Sequence, residues 1–208
     1  MAPGGWYERR VFNPLMDRLL AGEELADERR GLLAGLTGAV LEVGIGTGLN
    51  LPHYPAARKC LWVLSPEAEL DPRTRRRAGE RGLELEHVRG WAEEIPLEDA
   101  LADAVVCTFV LCSVRDPLRA LTEFARVLRP GGTLRLIEHV LSPRHLERAV
   151  QRAITPLWKH VACGCRLDRD AGALVRACGF SWQRLSIGRS KAVGFPASEL
   201  LCGVARAD

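Results

Sequence analysis

Three glycines that alternate with other residues follow directly after a short apolar run. The run covers residues 39–43 and includes Glu42, and the glycines are Gly44, Gly46 and Gly48. This pattern predicts a β-strand that leads into a turn with almost no side-chain bulk. Glycine suits the turn because the chain bends sharply and a ligand can approach the bare backbone N–H groups. The spacing therefore predicts a site for a nucleotide-like cofactor.

The position of the third glycine distinguishes between cofactors. The dinucleotide motif G-x-G-x-x-G needs a glycine at position 49, where a helix packs closely below the pyrophosphate, and this chain has Leu49. The pattern therefore disfavours NAD. Short glycine motifs also occur in ordinary strand-to-helix turns, so the motif alone leaves a purely structural role open.

Two histidines are candidate general bases. His139 ends the strand-like segment TLRLIEHV, and His160 lies near the end of the amphipathic segment HLERAVQRAITPLWKHV. An imidazole can take a proton near neutral pH, as an oxygen nucleophile would require. A structural role stays open for both histidines.

The seven cysteines are scattered and odd in number, so we expect reduced thiols instead of a disulfide framework. Cys163 and Cys165 have no second C-x-x-C pair or histidine pair near them, and the spacing therefore predicts no metal site. Cys112 lies in an apolar run without a neighbouring base. We expect its thiol to be inert.

Composition and charge exclude several classes of protein. The chain has 208 residues, of which 47% are hydrophobic, which is enough for one domain with a three-layer core. The net charge is only +3 and the arginines are not interleaved with aromatic residues, so no nucleic-acid partner is expected. No run of about 18 apolar residues is present, and residues 1–10 do not resemble a signal peptide. We expect no integral membrane segment and a cytoplasmic location.

Apolar runs that alternate with helical patterns predict an α/β fold with a parallel sheet. The run 103–114 has the continuous apolar character of a central strand that is covered on both faces. Asp116 predicts the start of the next helix, and Pro-Gly-Gly at 130–132 predicts its end. Residues 181–187 and 199–205 are predicted to form a final hairpin with one antiparallel member.

Several segments together give the sequence a specific family resemblance. The glycine pattern E-x-G-x-G-x-G resembles motif I of the class I S-adenosylmethionine (SAM) methyltransferases. The segments VVCTFVLCSV, RVLRPGG, EHV and GCRLDRD follow in order and resemble the branch grouped with the animal alkyl thiol S-methyltransferases. The resemblance begins at about Leu36 and extends to the C-terminus.

The resemblance implies a three-layer, Rossmann-like methyltransferase sandwich whose seven-stranded, mostly parallel sheet binds SAM at its carboxyl edge. It divides the chain into an N-terminal helical cap, residues 1–35, and a methyltransferase domain, residues 36–208. The implied cofactor-binding residues are Glu42, Gly44, Gly46, Gly48, Asn50, Ser65, Pro66, Trp91, Ala92, Glu93, Leu111 and Ser113. Trp91 is a candidate to stack on the adenine, and a role in the core stays open for it.

One position departs from the family pattern. The second strand should end in an acid that holds both ribose hydroxyls, and this chain has Ser65 there. The loss of such an acceptor costs roughly 1.5–3 kcal/mol, which is about ten- to hundredfold in affinity. Glu67 is one candidate replacement, and the Ser65 hydroxyl acting through a water molecule is another.

The predicted function is transfer of the SAM methyl group to a small-molecule acceptor, a thiol or another heteroatom nucleophile. Such an SN2 displacement depends mainly on alignment and desolvation. A thiolate needs little beyond deprotonation, whereas an oxygen acceptor would use His139 or His160 as its base. Ser65 suggests the alternative: a methyltransferase-fold protein that has lost methyl transfer and serves as a binding or scaffold protein, or as a non-methylating enzyme.

Overall fold

Strands and helices alternate along most of the chain. The computed structural model describes residues 5–57 and 60–207, so residues 1–4 of the predicted cap lie outside it. The strands are β1 (Val40–Val43), β2 (Cys60–Ser65), β3 (Glu84–Arg89), β4 (Ala102–Thr108), β5 (Leu128–His139), β6 (Phe180–Arg189) and β7 (Glu199–Ala207). The helices are α1 (Asn13–Leu19), α2 (Glu23–Leu33), α3 (Pro72–Arg81), α4 (Pro117–Val127), α5 (His145–Val161) and α6 (Ala171–Ala177).

The seven strands form one sheet in the order β3-β2-β1-β4-β5-β7-β6. The first five strands pair in parallel, and β7 is antiparallel to both of its neighbours. Side chains alternate between two apolar clusters, since Val105 packs with Phe124 of α4 and Val106 packs with Leu33 of α2. Helices thus cover both faces, and the predicted three-layer sandwich with a mostly parallel sheet is confirmed.

The central strand is shorter than its apolar run predicts. β4 ends at Thr108, and residues 109–114 form a loop. Glu138 of β5 causes this change, because its Oε1 accepts hydrogen bonds from the backbone N–H groups of Val110 (2.6 Å) and Leu111 (2.7 Å). The prediction of one strand over 103–114 is therefore wrong, since hydrophobicity alone does not separate a strand from an apolar loop.

Helix α4 begins where the sequence predicts and ends earlier than predicted, before the Pro-Gly-Gly at 130–132. The Asp116 carboxylate accepts hydrogen bonds from the N–H groups of Leu118 and Arg119, both at 3.1 Å, and the helix ends at Val127. Residues 130–132 form an irregularity inside β5. Ala102 of β4 pairs with Leu128, before this segment, and Ala104 pairs with Thr133, after it.

The apolar stripe of α5 points away from the core. Leu146 and Leu157 are 84% and 73% exposed, whereas the buried side chains of this helix are Gln151 and Thr155. Gln151 is buried because its amide binds the Ser142 N–H (2.8 Å) and a distant carbonyl group. Helical periodicity predicts the amphipathic helix, but the hydrogen bonds of Gln151 decide which side is buried.

All three glycines of the loop after β1 have left-handed backbone conformations. Their φ angles are +70° at Gly44, +52° at Gly46 and +80° at Gly48. A Cβ atom on Gly44 would lie 2.4 Å from the Val110 side chain, and one on Gly48 would lie 2.9 Å from that of Leu51. A Cβ atom on Gly46 would come no closer than 3.9 Å to any neighbour. Gly44 and Gly48 thus permit side chains to pack closely against the loop, whereas Gly46 has open space beside it.

We expect Gly44→Ala to destabilise the protein more than Gly46→Ala does. Both variants force a left-handed φ on a residue with a Cβ atom, at about 1–2 kcal/mol, and Gly44→Ala adds overpacking against Val110 at about 1–3 kcal/mol. Urea unfolding of the two variants measures the difference. Equal losses of stability would show that the Val110 contact is not a constraint.

Candidate functional site

A cleft of about 1660 Å³ opens at the carboxyl ends of the parallel strands, the edge where open α/β sheets bind their ligands. The segment before β1 forms part of its wall. The Tyr7 hydroxyl donates a hydrogen bond to the Val161 carbonyl of α5 (2.9 Å). Asp17 of α1 pairs with Arg77 of α3 (2.7 Å), and the same guanidinium donates to the Thr47 carbonyl (2.6 Å). The N-terminal helices are thereby tied to the glycine loop.

The carboxylate of Glu42 lies buried beside the glycine loop. It accepts hydrogen bonds from the Asn50 amide (2.9 Å) and the Tyr54 hydroxyl (2.8 Å). Asn50 also donates to the Thr108 hydroxyl (3.0 Å) and accepts from Arg29 (3.1 Å). Burial raises the pKa of Glu42 to about 7, against the lowering effect of these hydrogen bonds and of the Arg29 charge. Sequence reasoning identified Glu42 and Asn50, but not Arg29, Tyr54 or Thr108, which lie on separate elements.

Ser65 stands at the position of the expected ribose acid, and Glu67 follows it two residues later. Ser65 ends β2 at the cleft, and its Oγ lies 2.9 Å from Nε2 of His87. Pro66 and Glu67 follow it along the wall. Glu67 has no hydrogen-bond or ion-pair partner within residues 5–57 and 60–207, whereas Glu69 faces Arg75 at 3.4 Å.

Trp91, Ala92 and Glu93 line the cleft beyond β3. Trp91 is 41% exposed, so it is not a core residue, and the Arg115 guanidinium lies 5.1 Å from its ring centroid. The Glu93 carboxylate accepts hydrogen bonds from the N–H groups of Arg115 (2.7 Å) and Asp116 (3.3 Å). Trp91 thus offers a ring face, while Glu93 orders the loop that enters α4.

Two of the predicted cofactor residues do not line the cleft. Leu111 is only 1% exposed and packs in the core, whereas Val110, Cys112 and Ser113 face the cleft. The hydrogen bond from its N–H group to Glu138 turns Leu111 inward. The Leu51 side chain packs closely against Gly48. Cofactor contact by these two residues stays a prediction.

The two candidate bases lie in different surroundings. His139, at the end of β5, is 5% exposed, and its Nε2 lies 3.0 Å from Sγ of Cys165. Burial alone would lower the pKa of His139, but the contact with Cys165 and the charge of Glu138 raise it overall. His160 is exposed on the last turn of α5 and also lines the cleft.

Cys112, His139 and Cys165 come together although they are far apart in sequence. Their ligand atoms (sulfur or ring nitrogen) all lie within 4.8 Å of one another. The Arg166 N–H group donates to the Cys112 carbonyl (2.8 Å), which holds the segment around Cys165 against the loop after β4. A hydrogen bond from the Cys112 thiol lowers the pKa of Cys165. The fold thus gives Cys112 and Cys165 partners that are not next to them in the sequence.

The chain shares its α/β fold with several solved structures, among them SAM-dependent methyltransferases. A structure from Thermotoga maritima, described as a SAM-dependent methyltransferase and possible histamine N-methyltransferase, superposes with a TM-score of 0.67 at 21% identity. The match covers 97% of this chain and 98% of that one. The chain thus has the same fold as that structure.

Sequence comparison identifies the family of the chain. The methyltransferase domain family matches residues 41–136. Human thiol S-methyltransferase TMT1B is 37% identical over 172 residues, which cover 79% of this chain and 70% of the human protein. The rat protein of the same name is 38% identical over 146 residues, or 68% of this chain and 59% of its own length. The chain belongs to the thiol S-methyltransferase family of SAM-dependent methyltransferases, and its cofactor is SAM.

The family resemblance inferred from the sequence motifs is thereby confirmed.

Within residues 5–57 and 60–207, none of the helices combines the length and the apolar character needed to span a bilayer.

We expect the buried carboxyl of Glu42 to make the ligand-free protein less stable as the pH rises. Its pKa increases from the ordinary 4.5 to about 7 on folding, so the folded state holds the proton more tightly than the unfolded state. The associated stability is present below the unfolded pKa and is lost as the pH rises to the folded pKa. The loss is about 3 kcal/mol over this window.

Urea unfolding at several pH values measures this effect. Glu42→Gln should flatten the fall in unfolding free energy across the window, and Glu84→Gln, at an exposed position of β3, is the matched control. A Glu42→Gln profile that runs parallel to the wild-type profile would contradict the assignment.

Proposed function

We propose that the protein transfers the methyl group of SAM to a small-molecule thiol. The observation that carries the proposal is the glycine loop with its buried Glu42 network, which faces the cleft in a chain related to TMT1B. The glycine loop, the Glu42 network and the cleft lie together, so the proposed complex can align the sulfonium of SAM with an acceptor. Alignment supplies most of the catalysis in an SN2 methyl transfer. In the proposed complex, Trp91 borders the adenine and the Gly46 region borders the methionine part of SAM.

The acceptor in this proposal is an apolar thiol. Large apolar side chains are exposed along the walls of the cleft, among them Trp6, Leu15, Val161 and Phe195. Apolar surface of this kind favours binding of an apolar molecule, because its burial removes that surface from water. The described part of the N-terminal segment contributes two of these side chains, which supports its role as a cap over the bound acceptor.

The state of the cysteines supports a cytoplasmic location for this activity. All seven lie in the described part of the chain, and none of them forms a disulfide there. Disulfides are rare in reducing compartments and common in oxidising ones, so this state favours a reducing compartment.

We expect the Glu67 carboxylate to bind the ribose hydroxyls of SAM in place of the missing acid. Calorimetric titration of the wild type with SAM and with S-adenosylhomocysteine should give binding, and Glu67→Gln should weaken it about ten- to hundredfold. Glu69→Gln is the matched control, two residues further along and paired with Arg75. The second-site change Ser65→Asp should restore affinity to Glu67→Gln. Unchanged affinity in Glu67→Gln would assign the hydroxyls to Ser65 and water instead.

We expect methyl transfer to benzenethiol and little or no transfer to phenol. At neutral pH a thiol reaches its anionic form far more readily than a phenol does. Mass spectrometry of the methylated product, together with equimolar S-adenosylhomocysteine, measures the reaction. Binding of SAM without transfer to any thiol would contradict the proposal and favour a binding or scaffold protein.

A further inference from the structure

We propose that Cys112, His139 and Cys165 form a zinc site in the cleft, and that its open position binds the acceptor thiol as a thiolate. This inference rests on the proposed function and adds the means by which the acceptor is activated. Two sulfurs and one imidazole nitrogen are ligands that zinc prefers, and catalytic zinc sites use three protein ligands and leave a fourth position open.

The geometry of the three side chains fits such a site. Nε2 of His139 lies 3.0 Å from Sγ of Cys165, and all three ligand atoms lie within 4.8 Å of one another. Zinc bonds of about 2.0–2.3 Å place tetrahedral ligand atoms roughly 3.3–3.8 Å apart. Small side-chain movements are therefore enough to enclose an ion.

Hydrogen bonds from Trp158 and Arg169 hold the two cysteines of the proposed site in place. The Trp158 indole N–H donates to Sγ of Cys165 (3.3 Å), a contact that suits a metal-bound thiolate. Nδ1 of His139 is buried without a partner among the described residues, so the ring makes its polar contact with the cluster through Nε2 alone. Arg169 donates to the carbonyls of Leu111 and Val114, on either side of Cys112, and its charge acts on the Cys112 thiol.

The proposed zinc site also lies in the cleft in which the methyl group would be transferred. All three residues line the same cleft as Gly44 and Gly46. The Val110 side chain packs on Gly44, and Cys112 follows only two residues later. An acceptor bound to the ion would thus lie next to the glycine loop.

The reaction balances without a further reactant. The acceptor thiol releases its proton to water when its sulfur binds zinc, because zinc deprotonates a coordinating thiol. A sulfur lone pair then forms the new C–S bond with the SAM methyl carbon while the bond to the sulfonium sulfur breaks. S-adenosylhomocysteine leaves with that electron pair, and the neutral thioether product, a weaker ligand than the thiolate, dissociates.

Cobalt titration of the full chain tests the site directly. Co²⁺ added to metal-free protein under a phosphine reductant should give one equivalent of binding, with sulfur-to-metal charge-transfer and tetrahedral visible absorption. Cys112→Ser and Cys165→Ser should weaken this binding on the order of 100-fold or more. Cys163→Ser, two residues from Cys165, is the matched control and should bind like the wild type. Equal cobalt spectra in Cys112→Ser and Cys163→Ser would overturn the site.

Activation of the acceptor has its own readouts. Benzenethiol should shift the charge-transfer band of the cobalt protein, and phenol should not. Zinc removal should lower kcat for benzenethiol without changing SAM affinity, which also verifies that each variant is folded. A metal-free protein that methylates benzenethiol at the wild-type rate would overturn the zinc proposal and leave the proposed function intact. Metal binding without transfer by any form would instead refute the proposed function.

Discussion

The organisation of the cleft depends on one buried carboxylate, that of Glu138. By accepting the N–H groups of Val110 and Leu111, it ends β4 at the carboxyl edge and turns residues 109–114 across the floor. Burial raises the pKa of Glu138 to about 7, against the opposing effects of the His139 charge and these hydrogen bonds. Leu111 is thereby directed into the core and Cys112 into the cleft. The strained φ of +57° at Phe109 falls at this bend, as strain often does beside functional sites.

A second buried carboxylate, Glu42, organises the neighbouring part of the cleft in the same way. Its partners come from the segment after the glycine loop, and Arg29 of α2 joins them through Asn50. In the proposed complex a cationic group of the cofactor near this carboxylate would favour the ionised form, which would link cofactor binding to the ionisation of Glu42. The two acids thus have separate roles. Glu42 supports the glycine loop, and Glu138 determines the path of residues 109–114 along the floor of the cleft.

Local patterns predicted the parts of the molecule that depend on short stretches of chain. The glycine loop, the start of α4 at Asp116 and the final antiparallel member follow from turn chemistry, capping and periodicity. The extent of β4 could not be predicted, because the acid that ends it lies about 30 residues further along the chain. The proximity of Cys112 to Cys165 could not be predicted either, because it depends on long-range hydrogen bonds from Arg166 and Arg169 to the loop after β4. Each of these residues lies in a motif that the sequence marked, but their juxtaposition is a property of the fold.

The chemistry explains why an apolar floor suits methyl transfer to a thiolate. A sulfonium cation and a thiolate anion become two neutral thioethers, so charge is lost on the way to the transition state. A site that excludes water therefore favours the reaction, provided that it can still supply the anion. Buried thiols do not ionise readily on their own, since burial raises the pKa of Cys107 well above its usual range. A metal ion held by Cys112, His139 and Cys165 would resolve this conflict, because it stabilises the acceptor thiolate within the desolvated cleft without a solvated base.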